Sequence, residues 1–454
     1  MDGSSRRPAQ PQTRTRHAIE TLRLAAPLAV AQLAQVAMGV TDTVLLGGLS
    51  GEALAAGGLG GSLMIAVLVV LQGVPMALGV LVAQSRGAGR DADVPALYWT
   101  GLLLTALLVL PAFALVSAAG PLLLLVGEPA ALARDVGQYL SVLRWAIPGG
   151  LLGVGLLRAF LPAVGGGALI LWVTLGEALA NGGLCYGLIH GRWGLPALGL
   201  RGAALATVLV WSAAALALMA LLHAGRARRG LVGWSVPRRA LLRSMLRLGL
   251  PIAATFAVEA GLFLAVALLI GRLGPTALAA QQVALNTLTV AFMIPLAVAQ
   301  AANVRVGHRV GAGDLAGARR AGLVAIALGA GFEAMAALVG VLAPRFLVGL
   351  YLSPRDEAFA MAVGLLGVAA IFQVADGVQC VAAGALRGLG DTRVPFVLAT
   401  LGYWGVGFPL AWWLTMRAGA GAAGAWWGLA ASLAVVALLL TRRFMQRTRP
   451  GAAQ

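Results

Sequence analysis

Apolar runs of eighteen or more residues recur along the whole chain, separated by short stretches rich in Arg, Gly and Pro. In a bilayer a helix needs about 20 apolar residues to cross the hydrocarbon, so each run reads as a span. The pattern predicts spans at roughly 18–47, 53–83, 96–120, 132–157, 164–189 and 198–223, then at roughly 247–271, 276–306, 318–343, 358–385, 394–415 and 423–441. The expected fold is an all-α membrane protein of twelve transmembrane helices.

The second set of spans repeats the first. Leu22-Arg23-Leu24-Ala25-Ala26-Pro27 returns as Leu246-Arg247-Leu248-Gly249-Leu250-Pro251. Leu45 to Ala56 returns as Leu269 to Ala280, and Val80 to Gly89 as Val304 to Gly313. All three blocks keep one ungapped offset of 224 residues, with 16 of 28 positions identical. A constant register that includes Arg and Pro argues for two related halves rather than chance in an Ala/Leu/Gly-rich chain. Six spans separate equivalent positions, and an even number gives both halves the same orientation. The expected organisation is a six-helix lobe over 18–224, a basic linker over 225–245 and a second six-helix lobe over 246–442, related by a pseudo-symmetry axis along the membrane normal. Pro27 and Pro251 put a bend at the same place in both. The Gly87-Ala88-Gly89 and Gly311-Ala312-Gly313 pairs read as helix caps rather than phosphate cradles.

Composition agrees with this reading. Of 454 residues 60% are hydrophobic and 11% charged, with mean hydropathy +0.90, whereas soluble domains carry about 25% charged residues. The formal charge is +17, and all 33 basic residues are Arg. Loops facing anionic lipid account for this better than nucleic acid does, and no nucleic-acid partner is expected. With the N-terminus inside, 25 arginines fall on cytoplasmic segments and 7 on outer loops, which places both termini in the cytoplasm. Residues 1–17 carry Arg6, Arg7, Arg14 and Arg16, and the apolar run after them is too long for a signal-peptide core, so it is expected to stay as the first span. Cys185 and Cys380 show no pairing or metal spacing, and the four histidines sit at span ends.

Chemistry enters with five acids inside spans: Asp42, Glu177, Glu259, Glu333 and Asp376. Each costs about 2.5–3.5 kcal/mol at the bilayer centre, roughly 12–18 kcal/mol together, so most should meet water, an ion or a partner. Gln35 lies two turns before Asp42 on one helix face, and the offset of 224 carries Gln35 onto Glu259. Gln373, Asp376 and Gln379 are spaced by threes, and Gln282 and Asn286 form an i, i+4 pair. Polar faces on spans seven, eight and ten then describe a cation site in the second half. The alternative is interhelical hydrogen-bond glue, which suits Gln281 and Gln379 better. Two neighbouring carboxylates in low dielectric must share a proton or bind a cation. Asp42 is a candidate proton carrier, Glu333 reads as packing or lumen-facing, and Glu177, one turn from Asn181, is left open.

Three stretches resemble the multidrug and toxic compound extrusion (MATE) family, in its NorM-like branch: Met38-Gly39-Val40-Thr41-Asp42-Thr43, Ala279-Ala280-Gln281-Gln282-Val283-Ala284-Leu285-Asn286, and Ala383-Gly384-Ala385-Leu386-Arg387-Gly388 with Asp391 and Pro395. The resemblance implies two lobes forming a V, and a Na+- or H+-coupled antiporter that exports amphipathic organic cations by alternating access. It implies a first-span coupling acid at Asp42, a family asparagine at Asn181, and a second-lobe pair, Glu259 and Asp376, associated with Na+. It also implies no cofactor, a single chain as the working unit and a place in the bacterial inner membrane. Two departures stand out: Phe372 replaces a frequent Tyr, removing a hydroxyl near the cation, and Leu161 to Gly167 replaces a more charged loop. The rivals are a lipid-linked-sugar flippase, which expects an Arg-lined lumen, and an intramembrane enzyme, for which no HExxH or GxSxG motif occurs.

Overall fold

The computed structural model describes residues 14–225 and 229–449. Arg6, Arg7, Arg226 and Arg228 lie outside the described residues. Among the described residues twelve helices are long and apolar enough to cross a membrane: α1 Arg14–Gly47, α2 Gly51–Gly87, α3 Asp91–Val126, α4 Ala130–Ala163, α5 Gly167–His190, α6 Leu200–Ala224, α7 Arg239–Gly271, α8 Pro275–Gly311, α9 Leu315–Leu342, α10 Glu357–Gly388, α11 Arg393–Met416 and α12 Gly421–Arg447. Each predicted span falls on one of them. The main differences are extra turns at the ends, as where α7 starts at Arg239 and α12 runs to Arg447. Those turns carry arginines, so hydropathy alone ends the span before the helix ends.

Local chemistry sets several boundaries. Ser50 is extended and its hydroxyl accepts the N–H of Ala53 at 3.0 Å, capping α2. Asp314 caps α9 through the N–H of Gly317 at 2.7 Å. Gly89 and Gly313 have φ of +71° and +73°, so both Gly-Ala-Gly stretches do close helices through a left-handed residue. Helix α2 opens at Gly73–Pro75, and α4 and α11 each contain a wide turn, Leu151–Leu157 and Leu401–Gly407. Pro27 and Pro251 lie inside α1 and α7 as the repeat requires.

Buried apolar side chains gather in separate cores. Two draw mainly on α1 to α6, around Leu78, Tyr98 and Phe160 and around Met64, Ile147 and Leu151. A third draws on α7 to α12, around Leu386, Tyr403, Trp426 and Phe444. Between the halves the backbones touch through small residues. A Cβ on Gly87 would stand 2.0 Å from the carbonyl oxygen of His308, and one on Gly311 would stand 2.0 Å from that of Gln84. The offset of 224 relates Gly87 to Gly311 and Gln84 to His308, so this is one contact made twice about a pseudo-twofold. Only glycine permits backbones to approach this closely.

Polar bonds fasten the same end of the bundle, where both described termini lie. Gln84 donates to the carbonyl of Gly388 at 2.9 Å. Arg305 of α8 is only 11% exposed at its side chain and pairs with Glu20 of α1 at 2.7 Å, and it also bonds the Thr21 hydroxyl and the His17 carbonyl. Asp391 is held by Arg443 at 2.9 Å and by Arg447 at 3.7 Å.

The arginine count of the sequence needs correcting here. Arg158, counted with the loops, is buried inside α4 and pairs with Glu177 of α5 at 3.5 Å, while Thr174 accepts a second bond at 2.9 Å. It lies one residue past the predicted end of the fourth span, where hydropathy alone does not carry the helix on. Glu177 is therefore a structural ion-pair partner. Glu177→Ala leaves a buried guanidinium unpaired and is expected to cost about 3–5 kcal/mol. A lower Tm in detergent is the readout, and a Tm equal to the parent's would contradict the pairing's importance.

Candidate functional site

Asp42 lies near the end of α1, half-buried, and Asn181 of α5 is fully buried against it. The Asn181 amide donates to Asp42 Oδ1 at 2.6 Å, a short charge-assisted bond. The Cys185 thiol, one turn along α5, and the Tyr139 ring of α4 lie within electrostatic reach of Asp42. Gly60 of α2 makes room for that ring, since a Cβ there would stand 2.7 Å from it. Two sequence candidates are thus in direct contact. Gln35 sits half-buried seven residues back on α1.

The second centre is a cavity of about 320 Å³ between the halves, within the size range of small-molecule sites. Val69 and Gln72 of α2 face Ile252, Thr255, Phe256, Glu259 and Phe263 of α7, with Phe292 of α8 and Gln379, Cys380, Ala383 and Arg387 of α10. Its walls are mostly apolar and aromatic, and Glu259 and Arg387 are the two charged side chains in the lining. The Arg387 guanidinium lies 5.9 Å from the centre of the Phe256 ring, one turn before Glu259. Arg387 was another arginine assigned to a loop from sequence. It sits at the end of α10, where hydropathy had already fallen, yet the bundle folds it inward.

Behind the cavity, Asp376 lies within electrostatic reach of both Glu259 and Glu333. Glu333 of α9 is fully buried, and neither carboxylate oxygen completes a regular hydrogen bond, although Gln373 approaches it. Gly377 allows this, because a Cβ there would stand 2.5 Å from Glu333 Cγ. Glu333 therefore belongs with Asp376 and Gln373, whereas its sequence neighbourhood on α9, empty of polar groups, reads as packing or lumen-facing. Tyr403 of α11 is also buried here. Gln379 donates to its hydroxyl at 2.9 Å, and its phenol is within electrostatic reach of Glu259 and Asp376. The hydroxyl that Phe372 lacks is thus supplied from another helix. Phe372 itself packs edge-on against Phe263 and Trp426.

One grouping from the sequence does not hold together. Gln282 donates to Asn286 at 3.0 Å, and both are exposed on α8, outside the cavity lining. The i, i+4 spacing that marked them as a polar face lets them satisfy each other; of the polar groups named on spans seven and ten, Glu259 and Gln379 line the cavity. Gln379 does serve as interhelical glue, as expected, and lines the cavity as well.

Two charged or polar centres inside a twelve-helix bundle, one in an aromatic cavity between two related halves, define a polytopic membrane transporter. The family model MatE matches residues 27–186 and again 251–413, two stretches that begin 224 residues apart. The chain belongs to the MatE family. It is 52% identical over 451 residues to the multidrug resistance protein NorM of Burkholderia vietnamiensis, covering 98% of this chain and 97% of the relative. It is 54% identical over 444 residues to the probable multidrug resistance protein NorM of Burkholderia mallei, covering 97% and 95%. In structure it resembles the eukaryotic MATE transporter AtDTX14, with a TM-score of 0.85 at 21% identity over 96% of this chain and all of that one. An outward-facing multidrug resistance MATE transporter gives 0.88 at 18% identity over 95% and 96%.

Proposed function

We propose that the protein is a multidrug exporter of the bacterial inner membrane that expels amphipathic organic cations in exchange for Na+ or H+. It is a transporter and not an enzyme, as its family membership entails. The observation that carries the reading is the pair of acidic centres: Asp42 bonded to Asn181 in the first half, and Glu259 in an aromatic cavity with Asp376 behind it in the second. An acid in an apolar pocket attracts a monovalent cation of either kind, organic or inorganic. Asp42, Glu259 and Asp376 are the proposed coupling residues, with Gln35, Asn181 and Gln373 in support and Na+ or H+ at the Glu259/Asp376 pair. The working unit is one chain of two lobes, 18–224 and 246–442, joined by the 225–245 linker, with both termini cytoplasmic. Coupling then follows from population shift: the ion favours one arrangement of the lobes and the substrate the other.

A lipid-linked-sugar flippase would need a strongly cationic lumen, and here the single cavity arginine is opposed by Glu259. The test uses everted vesicles, whose cytoplasmic face is turned outward, with a cationic dye added to the medium. Dissipating the H+ and Na+ gradients together is expected to bring dye transport down to that of vesicles without the protein; undiminished transport would end the coupling reading.

A further inference from the structure

The segment that joins the two halves is strapped to the first of them. Val232 is buried in the core that holds Leu97, Tyr98 and Leu222, and Leu231 packs beside it. The Trp99 indole of α3 donates to the Gly233 carbonyl at 3.0 Å, and its ring meets the Trp234 ring edge-on with centroids 4.6 Å apart. The Thr100 hydroxyl accepts the N–H of Arg238 at 3.1 Å. Leu241, Leu242 and Met245 then lay one face of the start of α7 against the same core.

These bonds fix the depth of the segment. Trp99 and Thr100 fall inside the third apolar run, 96–120, and Arg247 opens the seventh, 247–271. The strap therefore lies level with the ends of the apolar spans, where hydrocarbon gives way to headgroups. Its outward face suits that layer. Trp234 is 78% exposed and Val236 is 69% exposed, and an indole with one apolar and one polar edge favours the membrane surface. Arg239, Arg243 and Arg247 recur every four residues, so they form one stripe along α7, and with Arg238 all four are exposed. Among the described residues none of the four forms an ion pair. They also stand at the unfavourable end of a helix. The first turn of α7 has no acidic residue and no side-chain cap, and a helix N-terminus already carries about half a positive charge. Cations gathered there repel one another and call for an anion.

We propose that this strap is a binding site for anionic phospholipid, with Trp234 and Val236 seated at the membrane surface and the headgroup phosphate held by Arg238, Arg239, Arg243 and Arg247. Guanidinium matches phosphate with paired N–H donors. Charge selects the lipid: phosphatidylglycerol carries a net negative charge, whereas phosphatidylcholine cancels its phosphate with its own ammonium group. The exposed apolar pair selects lipid over free phosphate, which has no acyl chain to bring against Trp234 and Val236. The strap packs on the first half while α7 runs on into the second, so the lipid sits where the halves are joined.

The test is native mass spectrometry of the purified full-length protein in detergent, titrated with phosphatidylglycerol or phosphatidylcholine of the same acyl chains. The parent is expected to bind phosphatidylglycerol about tenfold more tightly or better, because each surface arginine adds to the attraction for anionic lipid. Arg239→Gln/Arg243→Gln/Arg247→Gln should reduce that preference to about twofold or less. Arg243→Gln alone should lower it about threefold and serves if the triple variant does not fold. Arg239→Lys/Arg243→Lys/Arg247→Lys should keep at least about half of it, since the charge is retained. Arg393→Gln/Arg442→Gln, which neutralises two exposed arginines of α11 and α12 at the same end of the bundle, should leave it unchanged. Inorganic phosphate in about hundredfold excess should not displace the lipid, because charge alone does not fill the site. A parent without the preference, its survival in the glutamine variants or its loss in the lysine variant overturns the proposal. So does an equal loss in the Arg393/Arg442 variant, which makes the attraction a general surface charge, or displacement by phosphate, which makes the strap a free-anion site.

Discussion

Asp42→Asn is expected to lower drug export by roughly tenfold or more while leaving the protein folded in the membrane. The Asn181 amide donates to Asp42 at 2.6 Å from a fully buried position, and among the described residues Asp42 forms no ion pair. Asparagine is nearly isosteric, so packing against Asn181 and Cys185 is kept while the charge is lost. A hydrogen bond to a charged group is worth about 1.5–3 kcal/mol, and each 1.4 kcal/mol is a factor of ten. Dye efflux from vesicles should therefore fall by roughly tenfold or more, with monodisperse elution from size exclusion unchanged. Efflux at the parent rate would remove Asp42 from the coupling machinery.

The second large effect concerns the contact between the halves. Ala83 and Gly307 are equivalent by the 224-residue offset, and a Cβ on Gly307 would stand 2.9 Å from the Ala83 Cβ. Disulfides bring Cβ atoms to about 3.5–4.5 Å, so a small local shift allows a bond. The Ala83→Cys/Gly307→Cys double variant is expected to cross-link on mild oxidation and to stop exporting dye, and reductant should restore both. Cys185 and Cys380 are buried and add little background. Transport by alternating access requires this end to open, and Gly87 against His308, Gly311 against Gln84 and Arg305 against Glu20 hold it together. A fully cross-linked protein that still transports would show that the halves do not part here.

The first prediction uses residues that the sequence flagged, and the second falls within the blocks it paired, but for reasons the sequence supplied only in part. Asp42 and Asn181 were candidates singly, 139 positions apart, and their bond depends on how α1 packs against α5. The Gly-Ala-Gly stretches read as caps, and Gly89 and Gly313 do cap. That the first glycine of each also carries the crossing between halves is a property of two helices together. Glu333 shows the same limit. On α9 it stands among apolar residues, and only the arrival of Gln373 and Gly377 from α10 gives it polar company. Gln282 and Asn286 err in the other direction: a helical spacing that marks a shared face also lets two side chains bond each other, and they do.

What the sequence determined by itself is one-dimensional: twelve apolar segments, their repetition at a fixed offset, and the depth of each acid along its helix. Those follow from the length of a bilayer span and from register, which need no partner helix. The tertiary structure alone decided which polar groups meet. It turned Arg158 and Arg387 inward from segments that read as loops, gave Glu177 an arginine, and offered Tyr403 in place of the hydroxyl missing at Phe372. Helix rotation and crossing angle govern such encounters, and both are set by packing of small residues across whole faces, which no local pattern encodes.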